Sequence, residues 1–261
     1  SITLDASDSI ITTTAGTSNV KLGNNAGNSI ASGSNYNTFV GDRAGRVCSS
    51  GDNNVAIGFE ALDSEIGGQN SVAVGYQALL DQNTSNANHN TAVGYQAGKS
   101  VTTATENTLI GGLSGDALVD GAANTALGFE TLTADTKGQN NVAIGHHALS
   151  TQNFTSLTSS YNVAVGSQAG LSITTGIQNT LIGGLAGDAL TDADYNVAVG
   201  LNALGTDTLG SKSTAVGYQT IPNQNFTSAT DSHNTAVGYQ AGFSVTTGVQ
   251  NTLIGALSGD A

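Results

Sequence analysis

The chain has 261 residues, of which 35 are glycine and one is proline, and its formal net charge is -13. Glycine this frequent, without collagen's every-third spacing, reads as turn punctuation in a β-repeat, and 10% charged residues are too few for a typical disordered segment. An acidic chain whose six Lys and Arg are scattered singly repels phosphate, and no apolar run is long enough to span a bilayer, so neither nucleic-acid binding nor membrane insertion is expected.

In chain order, residues 1–18 read as a lead-in or a degenerate first coil, with Asp5 standing where a glycine would be. From Gly23 a single phrase takes over, clearest as Asn90-Thr91-Ala92-Val93-Gly94-Tyr95-Gln96-Ala97-Gly98. Its central glycine recurs fourteen times up to Gly255, mostly at intervals of 17 residues, the mark of a solenoid. Four places before the glycine stands Asn in all copies but two, which have Ser71 and Ser213. Three places before it only Val or Thr occurs, and immediately before it only Val, Ile or Leu. This period-two, β-branched pattern predicts a strand with those two columns facing the coil interior.

The column between them is apolar in every copy except Lys21, and is mostly Ala with Phe39, Leu109, Leu181 and Leu253. A strand with one watery face would carry polar residues there, so this second face is expected to be buried too. After the glycine come a turn and a short second strand, clearest at Ser100-Val101-Thr102-Thr103, which gives a narrow β-roll with two strands per coil. Four coil types cycle every 72 residues, and one of them takes an insertion: Gln82-Asn83-Thr84-Ser85, then Gln152-Asn153-Phe154-Thr155-Ser156, then Gln224-Asn225-Phe226-Thr227-Ser228. The last copy stops six residues past its glycine, so the array of 19–261 is expected to continue in a longer polypeptide.

Stacking places each Asn over the next, so their amides are expected to form a ladder. A coil this small has few interior side chains. We therefore expect the Ala/Leu column to be covered by sister chains around a common axis, with Phe39, Ala92, Leu109, Leu181 and Leu253 at the interface of a homo-oligomer, a trimer being the expected form. The loops carrying Asn153, Phe154, Asn225 and Phe226 are expected to be surface contacts.

No residue pattern signals catalysis, a metal or a cofactor, and none of these is expected. Gly111-Gly112-Leu113-Ser114-Gly115-Asp116 has one residue too many for a calcium-binding G-G-x-G-x-D repeat and recurs only every 72, so it reads as a turn. His146-His147 would point to opposite faces if it lay on a strand, a poor chelate. His89 and His233 align with Tyr161, as a surface or ring-stacking place would, and Glu60 and Glu130 align with Asn202, which suggests solvent exposure. Asn83, Asn153 and Asn225 begin N-x-S/T triplets that read as polar turns, and Cys48 reads as an inert thiol. Thr pairs such as Thr174-Thr175 recur in one coil of four, too sparsely for a flat ice-binding lattice.

The phrases N-T-A-V-G-Y-Q-A-G, N-V-A-I-G-H-H-A-L and S-V-A-V-G-Y-Q-A-L resemble the repeats of fibre proteins from tailed bacteriophages, marine ones especially. They are also similar to the S-x-A-I-G-x-x-A repeats of trimeric autotransporter adhesin heads, though the adhesin repeat is a few residues shorter. The resemblance covers roughly 19–261 and implies a β-roll in a homotrimeric fibre, located on a virion or at a cell surface. The expected function is the shaft of a tail fibre or similar appendage. The alternative is an adhesin whose inserted loops bind a host glycan or protein; ice binding and glycan degradation are minor readings.

Overall fold

A computed structural model describes residues 14–260 and, before them, the backbone of Thr3–Leu4 and Ile10–Ile11. Those two short segments pair antiparallel. That is not the parallel step of a degenerate coil, and Asp5 lies outside the described residues. From Val20 onward the chain is a parallel β-solenoid, and no helix occurs among the described residues.

The chain divides into two units, Ser1–Asp120 and Gly121–Ala261. The first holds six glycine-marked strands, from Val20–Leu22 to Thr108–Ile110, and the second holds eight, from Thr125–Leu127 to Thr252–Ile254. Within each unit every strand pairs in parallel with its equivalent one coil away, in strict register, as in Ala92↔Leu109 and Ala164↔Leu181.

Only this one strand per coil forms. The expected second strand at Ser100–Thr103 is a turn and bend, in which Val101 N donates to Gly98 O at 3.1 Å and Thr102 N to Val119 O at 3.0 Å. Among the described coils a second pairing appears only beside the insertions, as two residues at Gly138–Gln139 with Thr158–Ser159 and at Gly210–Ser211 with Thr230–Asp231, and as a single bridge between Gln69 and Ala87. The remaining corners are turned by left-handed residues, for example His89 (φ 54°), Gln96 (φ 53°) and Leu79 (φ 50°). An L-residue pays about 1–2 kcal/mol for that conformation. Hydrogen bonds to the neighbouring coil offset it, as in Gln96 N to Tyr76 O at 2.8 Å and Leu79 N to Ala97 O at 3.0 Å.

The marker glycine is required twice over. Its φ lies between 121° and 142°, and a Cβ on Gly166 would press into the carbonyl of Gly183 in the next coil. The Asn ladder forms, and it runs through the backbone as well as the amides. Asn179 N donates to Asn162 Oδ1 at 2.9 Å, Asn196 N donates to Asn179 Oδ1 at 3.0 Å, and Asn162 Nδ2 donates to Gly176 O at 2.7 Å. Each buried Asn therefore satisfies a donor in the next coil and an acceptor at its far turn.

The faces of the strand are reversed relative to the sequence expectation. The Ala/Leu column points inward: Phe39, Ala92, Leu109 and Leu181 are fully buried within the single chain, and Leu253 in the last coil is half-buried. These five residues are core, so the proposed interface was on the wrong face. The Val/Thr and Val/Ile/Leu columns point outward and are half-buried or exposed.

The four-coil cycle follows from filling this narrow interior. Four places after each glycine the chain carries either Leu (or Ile221) or another glycine, and this column also faces the core. Where the strand brings Leu181, the facing places are Gly170 and Gly187, and a Cβ at either would come within 2.8 Å of a Leu181 methyl. Where the strand brings Ala126 or Ala143, Leu132 or Leu149 fills the space. Bulk thus alternates between two columns, and where both are small, as at Ala164 and Gly170, Leu181 and Leu149 from the neighbouring coils and Ile173 reach in, as close packing demands.

Candidate interaction surface

The outward columns make a stripe that contains no charged residue. In the first unit it runs through Val20, Leu22 and Ile57; in the second through Leu127, Ile182, Val237 and Ile254, all more than a third exposed. The place just after the glycine widens it with rings. Phe59, Tyr76 and Tyr95 stack in sequence with centroids 5.4 Å apart, Tyr218 stacks on Tyr239 at 5.4 Å, and Phe129 stacks on His146 at 5.9 Å. Stacking uses the ring faces between coils and leaves edges outward, so the rings do not offer a flat platform on which a sugar could lie.

The next place carries a polar ladder along the stripe's border. Gln96 Nε2 donates to Gln77 Oε1 and Gln77 Nε2 to Glu60 Oε2, each at 2.8 Å, and Glu60 is paired with Arg43. Glu60 is nearly buried, which corrects the expectation of solvent exposure there; Glu130 and Asn202 are half-buried. His146 and His147 lie in the turn after the strand, where strand alternation does not apply. Their ring centroids are 3.9 Å apart and His147 Nδ1 lies 3.3 Å from Glu130 Oε2, yet no third ligand joins them: no group of three metal-ligating side chains occurs among the described residues. His89, His233 and Tyr161 are exposed, as a surface column predicts.

The inserted loops are held from within by acids that sequence reasoning missed. Asp135 accepts from Gly138 N at 2.9 Å, Gln152 Nε2 at 2.6 Å and Phe154 N at 3.3 Å. Asp207 repeats this with Gly210 N, Gln224 Nε2 and Phe226 N at 3.0, 2.5 and 3.1 Å. Burial pushes the Asp135 carboxyl above its usual range, against the pull of these donors. The signal was an acid seven places after the glycine with Gln one coil later, a pairing that recurs three times, at Glu65 with Gln82, Asp135 with Gln152 and Asp207 with Gln224.

These loops present less than expected. Asn153 and Asn225 are exposed, but Phe154 and Phe226 are each only 6% exposed and anchor their loops to the core, so they are not surface contacts. In the first insertion Thr84 takes the place of the Phe, and Glu65 takes that of the Asp. Glu65 binds Gly67 N, Gly68 N, Thr84 N, Gln82 Nε2 and Asn88 Nδ2. The loop is shorter here, and Ile66, Asn83, Thr84, Asn86 and Thr103 line a cleft of about 570 Å³.

The remaining candidates settle into structure. The segment 111–116 is the turn it was read as. Thr103 and Thr175 hydroxyls donate to Asp120 and Asp192 at 2.7 and 2.6 Å, from bends and not from a flat strand. Cys48 is fully buried, and burial pushes its thiol pKa up, which suppresses the reactive thiolate. Comparison with protein-family models, curated proteins and solved structures gave no match to this chain.

Proposed function

We propose that this chain is a structural shaft of an extracellular or virion appendage, such as the tail fibre of a bacteriophage, in which several copies, three in the expected arrangement, space a receptor-binding tip from the particle. One observation carries the reading: the bonds that join one coil to the next are the same at nearly every step. Strand ladder, Asn side chain and glycine contact all act along the stacking direction. Each unit is therefore stiff along its coil axis, about 24 Å for five steps and about 34 Å for seven at 4.8 Å each. Its few charges and small residues serve stacking and not chemistry.

Immunoelectron microscopy with antibodies against this segment tests the proposal. Decoration along slender appendages of virions or cells is the expected result; label confined to the cell interior would rule the shaft out.

A second reading, an adhesin for a host glycan or protein, draws on the exposed Leu157, 61% accessible on the second inserted loop, and on the cleft beside Thr84. Binding of labelled host-surface extract that is lost on Leu157→Ser would favour it.

A further inference from the structure

We infer that copies of this chain meet through the outward stripe of Val, Thr, Ile and Leu, side by side, parallel and with equivalent coils level. The inference rests on the multi-chain shaft reading and names the face that reading needs.

Three observations carry it. The first is the inversion of bulk. The fully buried inner column is mostly alanine, while the outward columns hold larger aliphatic side chains, among them Leu22, Ile57, Leu127 and Ile182 at 39–48% exposure. A single chain in water gains nothing by placing its larger apolar groups outside.

The second is area. At about 4.8 Å per coil and roughly 13 Å across the three columns, the stripe covers about 310 Å² in the first unit and about 440 Å² in the second, the latter alone about half of the roughly 800 Å² each partner gives to a standard interface. Each stripe alone rivals the largest apolar patch of an ordinary monomer, about 300–600 Å².

The third is chemistry. The Val/Thr and Val/Ile/Leu columns carry no charge, and the chain's net charge is -13 with only six Lys and Arg. An anionic lipid surface or a nucleic acid would be repelled, and the stripe offers a charged ligand no ion-pair partner. A second copy matches it in period at every coil. Parallel alignment sets Tyr95 beside Tyr95 and keeps the paired Glu60 and Arg43 at the rim, whereas a shift by one coil sets Tyr95 against Gly112. Acidic copies repel through their remaining surface, so added salt should tighten the assembly.

The test uses the full chain in a Cys48→Ala background with one new thiol. Val165→Cys and, independently, Val199→Cys lie mid-stripe in the second unit, while Thr155→Cys lies on an exposed loop. Mild oxidation should link Val165→Cys and Val199→Cys chains into covalent dimers and leave Thr155→Cys unlinked. Val165→Asp should reduce native mass to that of one chain while the circular dichroism spectrum is retained. An oligomer that links through Thr155→Cys and not through the stripe overturns this seam and leaves the shaft reading standing. A parent chain that is monomeric at high micromolar concentration and in high salt overturns the seam and the multi-chain shaft together.

Discussion

The two faces of the glycine-marked strand differ in what they tolerate. On the inner face, Ala164 and Leu181 sit in register one coil apart, fully buried, and their size difference is absorbed by Leu149, Gly170 and Gly187 around them. On the outer face, Val163 lies over Thr180 and Thr180 over Val197, all three half-buried, so a methyl and a hydroxyl exchange freely down the column. The difference teaches that the interior of a single coil is a closed volume problem, while the outward face is a surface that the chain's own packing does not constrain.

The sharpest way to break that contrast is a charge on each face. Leu181→Asp places a carboxylate in a fully buried site between Gly170 and Gly187 and removes a packed side chain, and should cost about 4 kcal/mol or more, unfolding the second unit in thermal melts. Val165→Asp, one coil earlier and outward, should leave the melt of the isolated chain nearly unchanged. Equal losses from the two would show that the faces have been assigned wrongly.

Next in size is the volume exchange. Leu181→Ala should cost about 3 kcal/mol through the cavity it leaves. Adding Gly187→Leu approaches the arrangement of Ala126 with Leu132, whose left-handed φ of 50° matches the 54° of Gly187, once the Leu190 methyl that lies 2.8 Å from the new Cβ shifts aside. The double variant should regain roughly 1–2 kcal/mol in denaturant titrations, a coupling that independent sites would not show. Additive losses would remove the compensation argument.

That exchange also explains what could and could not be read from the sequence. Period, coil count, parallel stacking and the Asn ladder follow from columns that repeat without exception or nearly so. The face assignment failed because both faces of the strand are apolar, and the larger β-branched residues were sent inward by the ordinary rule of burial. The deciding information was present in paired columns: Phe39 with Gly45, Leu109 with Gly115, Leu181 with Gly187 and Leu253 with Gly259. Two positions that trade bulk must share one cavity, and reading columns singly hides that. The second strand failed for another reason: Val101 is apolar because it fills the core, and its backbone turns there instead of extending. The acid-to-Gln links were legible only as a recurring pairing of two columns one coil apart, and that the carboxylate is buried shows only once its backbone donors are in place.

Asp135 offers a smaller, pH-dependent break. Its folded pKa is raised by burial, so between the ordinary aspartate value and the folded one the native chain holds a proton that the unfolded chain has released. Stability should therefore fall as pH rises through that window, and Asp135 should be a net cost at neutral pH of about 1 kcal/mol for each unit of elevation. Asp135→Asn keeps an acceptor for Gly138 N and should flatten this slope in melts from pH 3 to 7. A slope of opposite sign in the parent would mean that the donors from Gly138, Gln152 and Phe154 outweigh desolvation.

The smallest effect expected is the most specific to the outer face. Thr180→Val changes a half-buried outward residue into the one found at both neighbouring coils, so no new shape enters the column. In a Val165→Asp chain held monomeric, its effect on unfolding should lie within about 0.5 kcal/mol, as for ordinary surface changes. In the parent assembly the added methyl is removed from water in every copy, at about 0.8 kcal/mol for each carbon buried, and dissociation by dilution should shift to lower concentration. A residue facing only solvent would leave both measurements unmoved, and a core residue would move the first. Only a seam between chains separates them.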